Sequence, residues 1–176
     1  MRSNNSYQKG FTLIEMVVYV TLLGMVSVFI IQSYIQITGA YSRARSERAA
    51  LSNARTVLEA IANAASEARA VYGPTSRFNT DSGQLSLLTS ATSTPGHTSS
   101  YMDFWSDNGR VFTRAEGESA FALSDTTVRF SVFRFERIAQ SLGRDAVKIT
   151  IRADSASQKY PASVTLTTTA ALRGNY

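Results

Sequence analysis

QKGFTLIEMVVYVTLLGMVSVFIIQSY, residues 8–34, decides the fold. From Phe11 to Ile31 its only charged residue is Glu15. At about 1.5 Å of rise per residue this run makes a helix of about 31 Å, the thickness of a bilayer's hydrocarbon core. A carboxylate near the centre of a membrane helix costs roughly 2.5–3.5 kcal/mol on insertion scales, so something must compensate Glu15. Thr12-Leu13-Ile14-Glu15 spells a capping box, in which Thr and Glu satisfy backbone donors at a helix start. A carboxylate in the first turn also favours the helix macrodipole, by about 0.3–1 kcal/mol. Capping alone is therefore too small to account for the residue. The competing reading of the run is a secretory signal, with Thr38-Gly39-Ala40 before Tyr41 as its small-residue cleavage site. Such signals carry an apolar region of about 7–15 residues without an acid, shorter than this one.

Charge bias around the span does not orient it. Arg2 and Lys9 precede it, while Arg43, Arg45 and Arg48 follow within the distance over which the positive-inside rule is counted. The whole chain of 176 residues has a formal net charge of +5, nearly all its cations being arginine; the lysines are Lys9, Lys148 and Lys159. That excess suits solubility better than it specifies a polyanion partner. With no cysteine, disulfides and thiolate metal sites are excluded. About a hundred residues follow the helical part, enough for one modest core.

Lys9-Gly10-Phe11-Thr12-Leu13-Ile14-Glu15, followed by the unbroken apolar run, resembles the cleavage and methylation signature of type IV prepilins and pseudopilins. The resemblance covers about thirty residues. It implies a cytoplasmic leader 1–10 removed after Gly10 by a prepilin peptidase, N-methylation of the new terminus Phe11, and a membrane or filament-core helix over 11–33. Glu15 then becomes the assembly residue. The amine freed at Phe11 stands four residues before it on the same helix face, in the same chain or in a neighbouring subunit. The implied partners are other pilin or pseudopilin subunits, the peptidase, an inner-membrane assembly platform, and lipid before assembly. The implied location is a single pass through the cytoplasmic membrane with the carboxy-terminal domain outside, then a surface or periplasmic filament. Many major pilins carry a proline beyond Gly24. Ile31-Gln32-Ser33 has none, which leans toward a minor pilin or pseudopilin of a pilus or type II secretion system.

Beyond the span, Leu51, Ala54, Leu58, Ile61, Ala65, Ala68 and Tyr72 recur at steps of three and four, predicting an amphipathic helix over 34–72 that Gly73-Pro74 stops. Its alanines suit close packing on a sheet, with a coiled coil as the alternative. Residues 74–100 read as a long polar connection with one strand at 84–88. Thereafter the period becomes two. Residues 101–105 and 110–114 flank Ser106-Asp107-Asn108-Gly109, a hairpin signal, and 121–123 adds a short strand. Val128, Phe130 and Val132 alternate, then Phe133 and Phe135 continue on the opposite parity, which predicts a bulge. Val147, Ile149 and Ile151 alternate, as do Val164 and Leu166. The fold class is α+β: a long amino-terminal helix packed on an antiparallel meander in a domain over 73–176.

No enzymatic constellation, cofactor motif or metal site is read in the chain. His97, the single histidine, sits in a polar loop, and Asn79, Asp81 and Gly83 lack the terminal glutamate of a calcium loop. Trp105 falls within a strand and reads as core or interface. Arg129, Arg134, Lys148 and Arg152 alternate with core positions and point outward, a candidate polyanion surface. On it rests the alternative function, a DNA-uptake or adhesive pilus-tip module. Outward charge also keeps a sheet soluble and blunts edge pairing, and that account carries more weight.

Overall fold

The computed structural model describes residues 10–89, 100–138 and 145–174. The leader residues 1–9 and His97 lie outside the described residues. The elements run α1 (Leu13–Glu67), β1 (Ala70–Val71), β2 (Gln84–Thr89), β3 (Ser100–Asp107), β4 (Arg110–Ala115), β5 (Phe121–Ala122), β6 (Val128–Ile138), β7 (Ala146–Ser155) and β8 (Ser163–Ala171). Two compact units divide the chain, one up to Tyr41 and one from Ser42 onward.

The first unit is α1's apolar portion. Its apolar side chains are exposed, with Leu13 at 83% and Phe29 at 71%, while Glu15 and Ser33 are half-buried. Its hydroxyls bond inward to the helix, Thr21 Oγ1 donating to the Val17 carbonyl at 2.7 Å and Ser27 Oγ to that of Leu23 at 2.8 Å. Back-bonding of this kind satisfies a polar group where no water is present. By length and composition this apolar helix could cross a membrane.

In the second unit α1 packs on antiparallel β-sheets. Ala50, Ala54, Val57, Ile61 and Ala65 are all fully buried, while Leu51 and Leu58 flank them half-buried. Ala54, Ile61, Ala65 and Ala68 of the expected stripe are thus fully buried, and Ala50 and Val57 take the central places expected of Leu51 and Leu58. Three alanines, Val57 and Ile61 line the buried row, and the two leucines lie at its sides. Val57 and Ile61 meet Leu85, Leu87, Phe104, Phe133, Phe135, Ile149 and Ile151 in a single cluster. Each fully buried side chain of that size contributes roughly 1.5–3 kcal/mol.

The helix ends at Glu67, five residues before the expected stop at Tyr72. Ala68 N–H still bonds back to Ala64 at 3.0 Å, but Arg69 N–H turns to the Leu88 carbonyl at 2.8 Å. Ala70 and Val71 then pair with Leu88 and Leu87 as β1. Helix propensity loses here to a ladder that continues the sheet beside β2.

Strands β1 to β5 form one sheet in sequence order, and β6 to β8 a second. One meander was expected, and the strands do meander, but the run breaks after β5. Ser124 is buried and its Oγ accepts the Val111 N–H at 2.9 Å, ending the first sheet. Asp125 turns the chain by accepting from Thr126 N–H, while its own N–H donates to Asn53 Oδ1 on α1 at 2.9 Å. β6 therefore begins beside the helix instead of pairing with β5. The sheets are joined through Gly83 N–H to the Phe133 carbonyl at 2.7 Å and Phe130 N–H to the Gly109 carbonyl at 2.8 Å. The Asn108-Gly109 turn has positive φ at both residues, 50° and 76°, as a two-residue hairpin of primed type requires. The expected bulge falls between Phe130 and Val132.

Candidate processing and assembly site

Thr12 stands just before the first turn of α1, and its Oγ1 accepts the N–H of Glu15 at 3.3 Å. That is half of a capping box. The other half, a bond from the Glu15 carboxylate back to the Thr12 N–H, is not made. Among the described residues the carboxylate has no hydrogen-bond or ion partner. Phe11 is 68% exposed, touching Tyr19 edge-to-face with ring centroids 6.2 Å apart. Gly10 precedes the helix in exposed, irregular backbone, and a Cβ added there would meet nothing within 4 Å. Such a bond is open to a protease. Glu15, by contrast, is anchored by its backbone and left with an uncommitted charge on a helix that is otherwise apolar.

The outward cations of the second unit are largely neutralised. Arg134 pairs with Asp81, Lys148 Nζ with Glu136 at 3.0 Å, and Arg152 Nε with Asp154 at 3.2 Å and Ser163 Oγ at 3.0 Å. Arg129, opposite Asp154 in the ladder, packs its stem over Gly109. The strand register sets carboxylates beside these cations, which the sequence could not show. Asp81 is committed to Arg134, so the loop containing Asn79, Asp81 and Gly83 holds an ion pair. Among the described residues no group of three His, Asp or Glu side chains is close enough to hold a metal.

Burial works against the charge of Asp154. The hydroxyls of Ser131 and Ser163 and the guanidinium of Arg152 outweigh it and hold the carboxyl below its ordinary value. Asp125 is lowered chiefly by the backbone N–H of Thr126.

Two features went unseen in the sequence. Asn53 ties α1 to the crossing between the sheets, a role its position on a polar helix face did not announce. On the outer face of the first sheet, Trp105 stacks on Phe112 at 5.8 Å, with Arg114 over the Trp105 ring and Arg110 over that of Phe112. The ring faces are thus covered by the chain's own guanidiniums. Asp103 beside them accepts from Ser86 at 2.6 Å and pairs with Arg114 at 3.2 Å, leaving no uncommitted base there.

Residues 5–31 match the prokaryotic N-terminal methylation motif. The chain therefore carries a type IV prepilin-like signature, and the matched segment contains Gly10, Phe11, Glu15 and the apolar helix behind them. No curated protein and no solved structure matches the chain. Motif and fold together support the type IV pilin-like class with an α+β fold, and among the described residues one helix, near the amino terminus, is long and apolar enough to cross a membrane.

Proposed function

We propose that the chain is a structural subunit, minor in abundance, of a type IV pilus or type II secretion pseudopilus. The observation that carries this reading is Glu15: a carboxylate with no partner among the described residues, three residues into an exposed apolar helix, within a matched methylation motif. A prepilin peptidase removes 1–10 after Gly10, and the amine of Phe11 is methylated. Before assembly residues 11–33 lie in lipid, with 34–72 and the domain over 73–176 outside the cytoplasm. At the inner-membrane assembly platform the apolar helix exchanges lipid for neighbouring helices. Glu15 then pairs with the cationic terminus of an adjacent subunit, which offsets the cost of holding a carboxylate in an apolar medium. The subunit performs no chemistry of its own. Minor status is favoured by the absence of a proline in 25–73, which leaves the helix without the loosening point of many major pilins.

Co-expression with a prepilin peptidase tests the reading. Intact-mass analysis should find a chain beginning at Phe11, heavier by one methyl group. A chain beginning at Tyr41 would indicate a secretory signal and remove the filament function.

A further inference from the structure

β8 is the outer strand of the second sheet, and its pairing shows which of its backbone groups are unspent. Ser155 N–H bonds to the Ala162 carbonyl and Leu172 N–H to that of Asp145, both at the ends of one uninterrupted register. Because antiparallel bonds alternate, Val164, Leu166, Thr168 and Ala170 spend their N–H and C=O groups on β7. Ser163, Thr165, Thr167, Thr169 and Ala171 direct theirs to the open side. Among the described residues none of these amides has a partner.

Exposed edges are ordinarily blunted by charge, proline, a bulge or shortness. β8 has none of these protections. Ser163-Val-Thr-Leu-Thr-Thr-Thr-Ala-Ala171 is uncharged, free of proline, and in register throughout. The edge of β6 provides the contrast within the same sheet, since Asn79, Asp81 and Gly83 cap it by backbone bonds to Phe135 and Phe133.

A second observation lies on the same open side. A groove of about 470 Å³ runs between α1 and the start of β8, lined by Ala44, Leu51, Pro161 and Val164 with Glu47 and Arg48 at its margin. No residue of β7 lines it. The inward residues Val164 and Leu166 are half-buried, whereas Ile149 and Ile151 of β7 are fully buried. One further strand would extend the sheet over this groove and complete the cover.

We infer that the free edge of β8 accepts an extended, uncharged strand of a different subunit, carrying bulky aliphatic residues at alternate positions. The open amides and carbonyls supply the main-chain bonds of strand addition, and the groove supplies a pocket for an inward side chain. Glu47 and Arg48 cancel in charge, so a neutral strand fits best. A second copy of β8 fits poorly. Twofold pairing about Thr167 would set Ala170 beside Val164, and a methyl group does not fill the groove. The occupant's identity as a fellow subunit rests on the proposed function; the chemistry of the edge does not.

Amide exchange measured by NMR on the full chain in detergent micelles tests the inference. The probe is a capped, uncharged ten-residue peptide of alternating Thr and Val with a glutamine at each end. Without peptide, the amides of Thr165, Thr167 and Thr169 should exchange fast and those of Leu166 and Thr168 slowly. With peptide, the first set should slow tenfold or more. Thr167→Pro removes an open-side donor and, besides it, only the exposed 3.4 Å hydroxyl contact with Thr150, so it should leave the fold intact and weaken binding at least tenfold. A peptide N-methylated at alternate residues should not bind. Alternate amides already protected in dilute free protein, or unmoved by millimolar peptide, overturn the inference. Protection that appears only with concentration-dependent dimerisation overturns the assignment to a different subunit. Correct processing at Gly10 with no strand binding leaves the proposed function standing, and strand binding in a chain that is never processed leaves only the edge.

Discussion

Gly83→Ala should loosen the junction between the two sheets, for reasons that can be worked from a few distances. A Cβ at position 83 would stand 2.7 Å from the Phe133 carbonyl oxygen, 2.9 Å from Phe135 Cδ2 and 3.2 Å from the Arg77 carbonyl oxygen. Two of the three obstacles are backbone, and the first accepts the Gly83 N–H at 2.7 Å. Relief therefore requires the segment to move away and lengthen that bond. Overpacking costs about 1–3 kcal/mol and a weakened backbone bond about 0.5–1.5 kcal/mol, while the stiffer unfolded chain returns about 0.4–1 kcal/mol. The net loss is about 0.5–4 kcal/mol, centred near 2, a sizeable part of a domain's usual 5–15 kcal/mol. Trp105, the single tryptophan, pairs with Gln84 next door and reports unfolding by fluorescence in urea. Gly24→Ala is the matched control. A Cβ there meets nothing within 4 Å, so the urea midpoint should stay at the wild-type value. Equal midpoints for Gly83→Ala and wild type would refute the close approach of the sheets.

Three further outcomes are expected. Asn53→Ala removes the acceptor for the Asp125 N–H and should cost about 0.5–2 kcal/mol in the same urea assay, as loss of a capping side chain does. The depressed pKa of Asp154 contributes stability that is complete above the ordinary aspartate value and lost as pH falls through the lowered folded value. Asp154→Asn should therefore flatten the acid limb of stability against pH, measured by thermal melts from pH 6 downward. Finally, because Arg134, Lys148 and Arg152 are paired, fluorescence anisotropy should detect no binding of duplex DNA by the full chain at physiological salt. Salt-dependent binding, with log K falling by about 0.9 per phosphate contacted, would restore the DNA-uptake reading.

The features legible in the sequence were those set by local chemistry. Thr12 and Glu15 marked the helix start, Asn108-Gly109 the hairpin, and the parity slip at Phe133 the bulge. What escaped depended on partners far along the chain. The helix stops at Glu67 because β2 offers Arg69 a carbonyl, which no pattern in 51–72 encodes. Ala50 and Val57 are fully buried where the spacing pointed to Leu51 and Leu58, because which of two adjacent apolar positions faces the sheet is set by packing across the chain. The sheet divides after β5 because Asn53 captures Asp125, residues that lie far apart in sequence. At the candidate site, the residue types in 10–15 pointed to processing and assembly. That the Glu15 carboxylate has no partner among the described residues needed coordinates.

Glu15→Gln tests the central claim most directly, because it separates charge from shape. Thr12 accepts from the backbone N–H of residue 15, so the amide variant keeps the cap and starts the same helix. It cannot pair as an anion with a cationic terminus. In a strain expressing the chain with its own filament system, sheared filaments and membranes are separated and immunoblotted. The variant should be inserted, cleaved after Gly10 and folded, with unchanged Trp105 fluorescence, yet remain in the membrane fraction and be absent from filaments unless wild-type copies accompany it. Incorporation of Glu15→Gln at the wild-type level would contradict charge pairing and leave the cap as the whole of Glu15's role.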